Sequence, residues 1–550
     1  LKINAQANSA SGILSALCLS SLIKETAMAN KSLFNSMVGK FIPTATAVNE
    51  AGGAAYEMTP KAALAQYAAT GCLNSTFYAS AQEHLQKVLN LCSHPDVEPE
   101  FIARLALYAR SKGHMKDLPA LLCATLSVFS PGLLAEVFDR VIDDGRMLRN
   151  FVQIMRSGTV GRKSLGTLPK RLVQNWFDQR SDDQVFRASV GNDPSLADVI
   201  RMVHPKPGTP ARAALYGYLI AGPHDASALP EIVKQFEAFK AGMAEEVPDV
   251  PFQMLTSLDL QEKHWKQIAQ NASWQTTRMN LNTFARHGVF DEGQKSARLI
   301  AERLRDRQAI SKAPVFPYQL LMAYKQVAQN VPAEVREALQ DAMEIAISNV
   351  PAIDGQMYVC PDVSGSMHSP ITGVRKGATT AVRCVDGAAL IAACFLRTNS
   401  SATAIPFKET VITDLALNPR DSVMTNAAKM TAIPPGGTNC SAPLAWLNSR
   451  KAMGELVVFV SDNESWVDKA RGRGTATMEQ WTIFKARNPA AKLVCIDLQP
   501  YSTTQAAETG RDDVLNVGGF SDHVFDVIAE FAKGTLSDGH WVGVIEAMTL

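Results

Sequence analysis

From about Thr59 to about Val350, apolar residues return at three- and four-residue spacing, the repeat of amphipathic helices. The runs "TPKAALAQYAATGC", "EPEFIARLALYARSKG", "DLPALLCATLSVF" and "LLAEVFDRVID" show it most clearly. Thr59 ahead of Pro60, and Asp117 ahead of Pro119, are helix-start signals. Gly71, Gly113 and Gly145 follow the periodic runs and read as stops. Short connections between helix pairs, with no strands among them, predict an α-solenoid of HEAT-like character. No strict sequence period repeats, so this prediction rests on architecture alone.

After Asp354-Gly355 the pattern changes. Short apolar runs, "MYVCP", "ATAIPF", "ELVVFVS" and "KLVCIDL", alternate with helical stretches such as "VRCVDGAALIAACFLRT", "SAPLAWLNSRKAM", "MEQWTIFKARN" and "DHVFDVIAEFAKG". Strands that are apolar throughout, alternating with helices, predict a parallel sheet covered on both faces. Residues 355–550 are therefore expected to form a doubly wound α/β domain.

Composition adds limits. A chain of 550 residues exceeds one ordinary core, so two or more domains are expected. With 46% hydrophobic and 19% charged residues it is of globular type. The formal net charge is +1, so binding to nucleic acid needs a local basic patch. Nine cysteines stand singly, without a CxxC pair or a zinc spacing, and read as small buried hydrophobes of a reducing, cytoplasmic setting. No apolar run is long enough for a membrane span. Residues 1–27 are expected to be a poorly ordered extension, with Met28 as the natural start; only Lys2 precedes the mildly apolar run that a signal peptide would need.

The chemistry begins at "MYVCPDVSGSMHSP". A buried-looking strand stops at Asp362, and Asp362, Ser364 and Ser366 then follow on alternate positions. Thr438, in "PPGGTNCS", precedes a predicted helix, and Asp462 follows the strand "ELVVFVS". In doubly wound folds the crevice lies at the carboxyl ends of the strands, so these five side chains are expected to converge. Hydroxyls with one or two carboxylates suit a hard divalent cation, Mg²⁺ first and Mn²⁺ second, leaving room for waters or an acidic ligand. The plainer alternative is an Asp-capped turn.

The strand context makes "DVSGS", "GGT" and "SD" resemble the metal-ion-dependent adhesion site of a von Willebrand factor A domain. In the helical part, "SGTVGRKSLGTLPKRLVQNWF", "PSLADVIRMVHPKP" and "KAPVFPYQLLMAYKQV" resemble the TROVE module of the Ro autoantigen family, and the domain order agrees. The resemblance implies a TROVE domain over residues 28–354 and an A domain over 355–550. It implies a ring-like HEAT-repeat α-solenoid closed by that doubly wound α/β domain. It further implies binding of Y-like noncoding RNAs and of single-stranded ends of misfolded RNAs, in RNA quality control or processing, with an exoribonuclease tethered through RNA.

The residues give that expectation its own footing. Arg162, Lys163, Lys170 and Arg171 gather around a Gly/Ser loop and a helix start, a local basic footprint on a near-neutral chain. Trp176 nearby is a stacking platform or, more simply, core. His204 and Lys206, in "MVHPKP", are either RNA contacts or a helix end, where the following proline pushes His204 to an extended conformation. Arg298, Arg303, Arg305, Arg307 and Lys312 are interspersed with Glu302 and Asp306 and read as a salt-bridged surface helix. Arg278, Arg286 and His287 are weaker candidates for a ring interior. No GxxxxGK[ST], GxSxG or HExxH motif occurs, and neither His368 nor Cys440 has an identifiable catalytic partner. A binding protein is expected, not an enzyme. The alternative is a metal-dependent protein-interaction or adhesion module on a helical scaffold.

Overall fold

The computed structural model describes residues 42–550 apart from 72, 292–293, 313–316, 348–349, 375–381, 469, 471–472, 520, 522 and 537–539. The extension expected over 1–27 lies outside the described residues. Helices run from Pro60 to Ile347 with no intervening strand among the described residues. The first, Pro60–Thr70, is capped by Thr59, whose hydroxyl accepts from the Ala62 N–H, and is closed by Gly71 at φ 62°. Two expected punctuation marks fall differently. Gly145 opens a helix, Gly145–Ser157, capped by the Asp144 carboxylate on the Met147 N–H. A side chain at Gly145 would place its Cβ 2.7 Å from that of Ala188, so the glycine serves close packing rather than a stop. Asp117 lies inside the first turn of Asp117–Phe129 and caps nothing; its carboxylate accepts from Asn150, 2.9 Å away, and opposes the helix dipole favourably.

The strands are β1 (Ala47–Val48), β2 (Ala54–Glu57), β3 (Met357–Pro361), β4 (Ala402–Ala404), β5 (Leu456–Ser461), β6 (Lys492–Asp497), β7 (Thr503–Thr504) and β8 (Val514–Gly518). Five of them form one parallel sheet in the order β4-β3-β5-β6-β8. Alternation divides its two faces. Met357, Val359, Val458 and Val460 pack with the helices Cys384–Thr398, Val423–Thr431 and His523–Lys533. Tyr358, Cys360, Val457 and Phe459 pack with Ala442–Ser449 and Ala476–Arg487. The sheet is thus doubly wound, as expected. Strand β8 was not anticipated, because Asn516 interrupts its apolar run; its amide donates to the Ala506 carbonyl.

Both ends of the helical array dock on this one domain, so the array closes through it. At the first end, β2 pairs with β7, and the helix Pro99–Ser111 packs on His540–Glu546. There the Trp541 Nε1–H donates to the Tyr108 hydroxyl (3.0 Å), and Arg104 Nε donates to the Met548 carbonyl (3.1 Å). At the other end, the helices Pro317–Gln326 and Ala333–Ile347 pack on Cys384–Thr398 and Val423–Thr431. Lys325 meets the buried Asp386 at 2.5 Å, and Glu344 accepts from Arg397 and from the Val423 N–H. No helix among the described residues is long and apolar enough to cross a membrane.

Candidate functional site

Asp362 and Asp462 each leave the carboxyl end of a neighbouring strand, β3 and β5. The loop that carries Thr438 passes between them: the Gly365 N–H donates to the Gly436 carbonyl (2.8 Å), and the Trp466 N–H to the Thr438 carbonyl (3.2 Å). The five expected side chains are brought to one place, and all are buried. Asp362 accepts from the Ser461 hydroxyl (2.6 Å) and the Ser364 N–H (2.8 Å). Ser364 and Ser366 Oγ lie 3.5 Å apart, and Ser366 lies beside Asp462. Burial first, then the charge of Asp462, raises the Asp362 carboxyl above the ordinary range; burial raises Asp462 as well.

A divalent cation fits this set. Asp462 Oδ2 is buried with no hydrogen-bond partner, and two like charges face each other. No group of three or more His, Cys, Asp or Glu among the described residues could hold a metal. Two carboxylates with three hydroxyls, however, are the hard oxygen set that Mg²⁺ accepts while it keeps waters. His368 is not a base for these serines: its Nδ1 lies 2.9 Å from Arg383 Nη1. Cys440 is buried, and burial keeps its thiol protonated.

Several neighbours carried no recognised signal in the sequence. Glu464 is pushed up to about 9 by burial and then by Asp462, and its Oε1 is buried without a partner. Asp497, the last residue of β6, is raised by burial and then by Glu464. Its position after a buried strand was the available clue, the same one that pointed to Asp362. Tyr78 comes from the helical half and lies beside Ser366, and burial, then Asp462, pushes its hydroxyl up to about 12.

Farther along the sheet, burial pushes the Glu508 carboxyl up to about 7 from 4.5, although it accepts from the Asn516 N–H and amide. The folded form keeps this proton after the unfolded chain has lost it, so stability falls as pH climbs from about 4.5 to about 7. Glu508→Gln is expected to leave stability at pH 4 unchanged and to raise it by about 2–3 kcal/mol at pH 8. Denaturant melts at the two pH values check this.

The second feature is a groove of about 630 Å³ in the helical half. It is lined by Arg156, Lys163, Lys170 and Arg171, with Gln174 and Met202, and no carboxylate lines it. Among the described residues none of those four cations forms a salt bridge. Arg156 was missed in the sequence because it closes the preceding helix, Gly145–Ser157, outside the quoted cluster. Arg162 braces the loop instead, donating to the Ser127 carbonyl (2.8 Å). A second groove, lined by Gln153, Ser157, Asp198 and Arg201, shares Arg156 and Met202 with the first.

His204 and Lys206 are exposed just past the helix Leu196–Val203. His204 is not extended. It adopts φ 50°, ψ 62°, because its N–H closes the helix on the Ile200 carbonyl, which outweighs the preference set by Pro205. Gln174 in the groove donates to the Val203 carbonyl (2.6 Å), which ties this corner to the basic cluster. Trp176 is core: it is fully buried, its Nε1–H donates to the Ile142 carbonyl, and Arg180 covers its ring.

Several of the remaining basic candidates bind within the fold. Arg278 donates to the Gln319 carbonyl, Arg303 to the Ala269 carbonyl, and His287 stacks on Trp265 with ring centroids 4.1 Å apart. Of the candidates for a ring interior, Arg278 and His287 thus have partners within the helical array and Arg286 is exposed, while Arg303, expected on the salt-bridged face, binds backbone carbonyls instead. Arg298 pairs with Glu302 and Arg305 with Asp341, as a salt-bridged face would, and Arg307 is exposed. The Lys312 side chain lies outside the described residues.

Comparison with known proteins places this geometry. Residues 356–532 match the family model of the Ro60 vWA domain. The chain is 26% identical over 528 residues to the RNA-binding protein RO60 of Deinococcus radiodurans, covering 88% of this chain and 95% of that protein. The crystal structure of the Deinococcus radiodurans RO (RSR) protein superposes with a TM-score of 0.59 at 21% identity, over 87% of this chain and 100% of that one, a likeness of fold.

Proposed function

We propose that this chain is a Ro-family RNA-binding protein whose basic groove takes structured noncoding RNA; the match of residues 356–532 to the Ro60 vWA model and the 26% identity to an RNA-binding RO60 protein support that reading. The observation that carries this reading is the groove itself: four cations, Arg156, Lys163, Lys170 and Arg171, line one concave surface without a carboxylate. Phosphates entering it would release condensed counterions, and the hydroxyls and backbone N–H groups of Ser164, Gly166 and Thr167 add uncharged donors. His204 and Lys206 extend the surface at its edge.

The ligand we assign is a Y-like RNA on the helical outer surface. Misfolded noncoding RNAs with a free single-stranded end compete for the same groove. Selection is by charge and shape with little base readout, which suits RNA quality control. A Y-like RNA held there would also tether an exoribonuclease. The vWA domain would hold Mg²⁺, or Mn²⁺ in its place, through Asp362, Ser364, Ser366, Thr438 and Asp462, with an acidic ligand to complete the shell. Free, buried cysteines fit a cytoplasmic location.

The test is a pair of RNAs with the same stem, one blunt and one with a single-stranded 3′ tail. Tighter binding of the tailed RNA, lost as salt is raised, is expected. Equal, salt-insensitive binding of both would overturn the proposal.

A further inference from the structure

The cation site sits at the carboxyl ends of β3 and β5, where the crevice of a doubly wound domain opens, yet its five side chains are buried. The cover comes from the other half of the chain. Asn74 Nδ2 donates to the Thr372 carbonyl (2.8 Å), and the Val374 N–H donates to the Ser75 carbonyl (2.6 Å). The Tyr501 hydroxyl donates to Thr76 Oγ1 (3.2 Å), and the Tyr78 ring meets the Tyr501 ring edge-on at 6.0 Å. This lays residues 74–78 over the segment that follows Ser366 and sets Tyr78 beside Ser366. On the other flank, Asn49 donates to the Ser465 carbonyl (2.8 Å), and the Ala51 N–H to Glu464 Oε2 (3.1 Å). A Cβ at Gly53 would run into the Ser465 carbonyl oxygen, so that flank tolerates only glycine.

We infer that Tyr78 is an internal cap on the cation site, and that an external carboxylate reaches the cation only when residues 74–78 lift away. This rests on the cation assignment proposed above. The flank at Asn49–Gly53 is pinned by close backbone packing, whereas residues 74–78 meet the α/β domain through hydrogen bonds and the Tyr78–Tyr501 ring contact, with no comparable backbone wedge, and carry Phe77, 58% exposed. The cap is therefore the side that yields. Occupation by an acidic ligand and docking of residues 74–78 exclude each other, which couples the site to the seam where the helical array meets the α/β domain.

Water-proton relaxation of Mn²⁺ bound to the full-length protein tests the cap, because it counts exchangeable waters on the ion. A capped site shows few. Tyr78→Ala is expected to raise the signal by about one coordinated water per ion and to tighten acetate binding to the Mn²⁺-loaded protein. Tyr78→Phe keeps the ring packing, removes only the hydroxyl, and is expected to show a smaller rise. Wild-type relaxation in both variants overturns the cap, as does wild-type relaxation in Tyr78→Phe alone should the alanine variant fail to fold. If the wild-type protein binds no Mn²⁺, the cation assignment fails and the inference falls with it.

Discussion

Replacing Arg156, Lys163, Lys170 and Arg171 together by alanine is expected to weaken RNA binding about 1,000-fold at roughly 0.15 M salt. Each neutralised phosphate releases close to one counterion, worth about 5-fold in affinity at that ionic strength, and four such contacts multiply. The dependence of log Kd on log salt is expected to flatten by about 3. The fold should survive, because none of the four forms a salt bridge among the described residues and all line an open groove. Arg162→Ala is a useful contrast. It removes a brace on the Ser127 carbonyl, so its loss should act through loop order and leave the salt slope almost unchanged. Fluorescence anisotropy across a salt series reads both quantities.

Asp362→Asn is expected to weaken Mn²⁺ and Mg²⁺ binding about 100-fold or more while leaving RNA affinity within about 2-fold. The two sites lie in different halves of the chain, and the groove draws nothing from the α/β domain. Asparagine preserves the acceptor for the Ser364 N–H and can exchange donor roles with the Ser461 hydroxyl. It also removes one of two facing like charges, so the metal-free variant should melt no lower than the metal-free wild type. Wild-type protein with the ion at about 100 times Kd should gain about 2.7 kcal/mol, and the variant should gain almost none. Calorimetry with and without Mn²⁺ separates these outcomes. Loss of RNA binding together with metal binding would instead favour a single metal-dependent interaction module.

Much of this molecule was written locally. All-apolar runs between helical ones announced the parallel sheet, and the carboxylates at the ends of β3 and β5 announced the buried cluster of carboxylates and hydroxyls, because strand ends and their loops are adjacent in sequence. The helix starts were legible where proline fixed them, as at Pro60. They failed at Gly145, where the deciding contact is Ala188, far along the chain. The same limit hid Tyr78: nothing near "FYAS" shows that the segment will be laid against Ser366. It hid β8 and the β2–β7 pairing, because short or polar strands gain their stability from partners rather than from their own pattern. Charge was legible as a cluster, but its division was not. Arg162, Arg278 and Arg303 spend their donors on backbone carbonyls, while Arg156, outside the cluster, stands in the groove.

Crosslinking of bound RNA to the full-length protein, followed by mass spectrometry of the attached peptides, addresses the central claim most directly. Crosslinks are predicted on the peptides that carry Arg156, Lys163–Arg171 and His204–Lys206, fading together as salt is raised. Crosslinks confined to the α/β domain, or spread evenly over the helices, would contradict it.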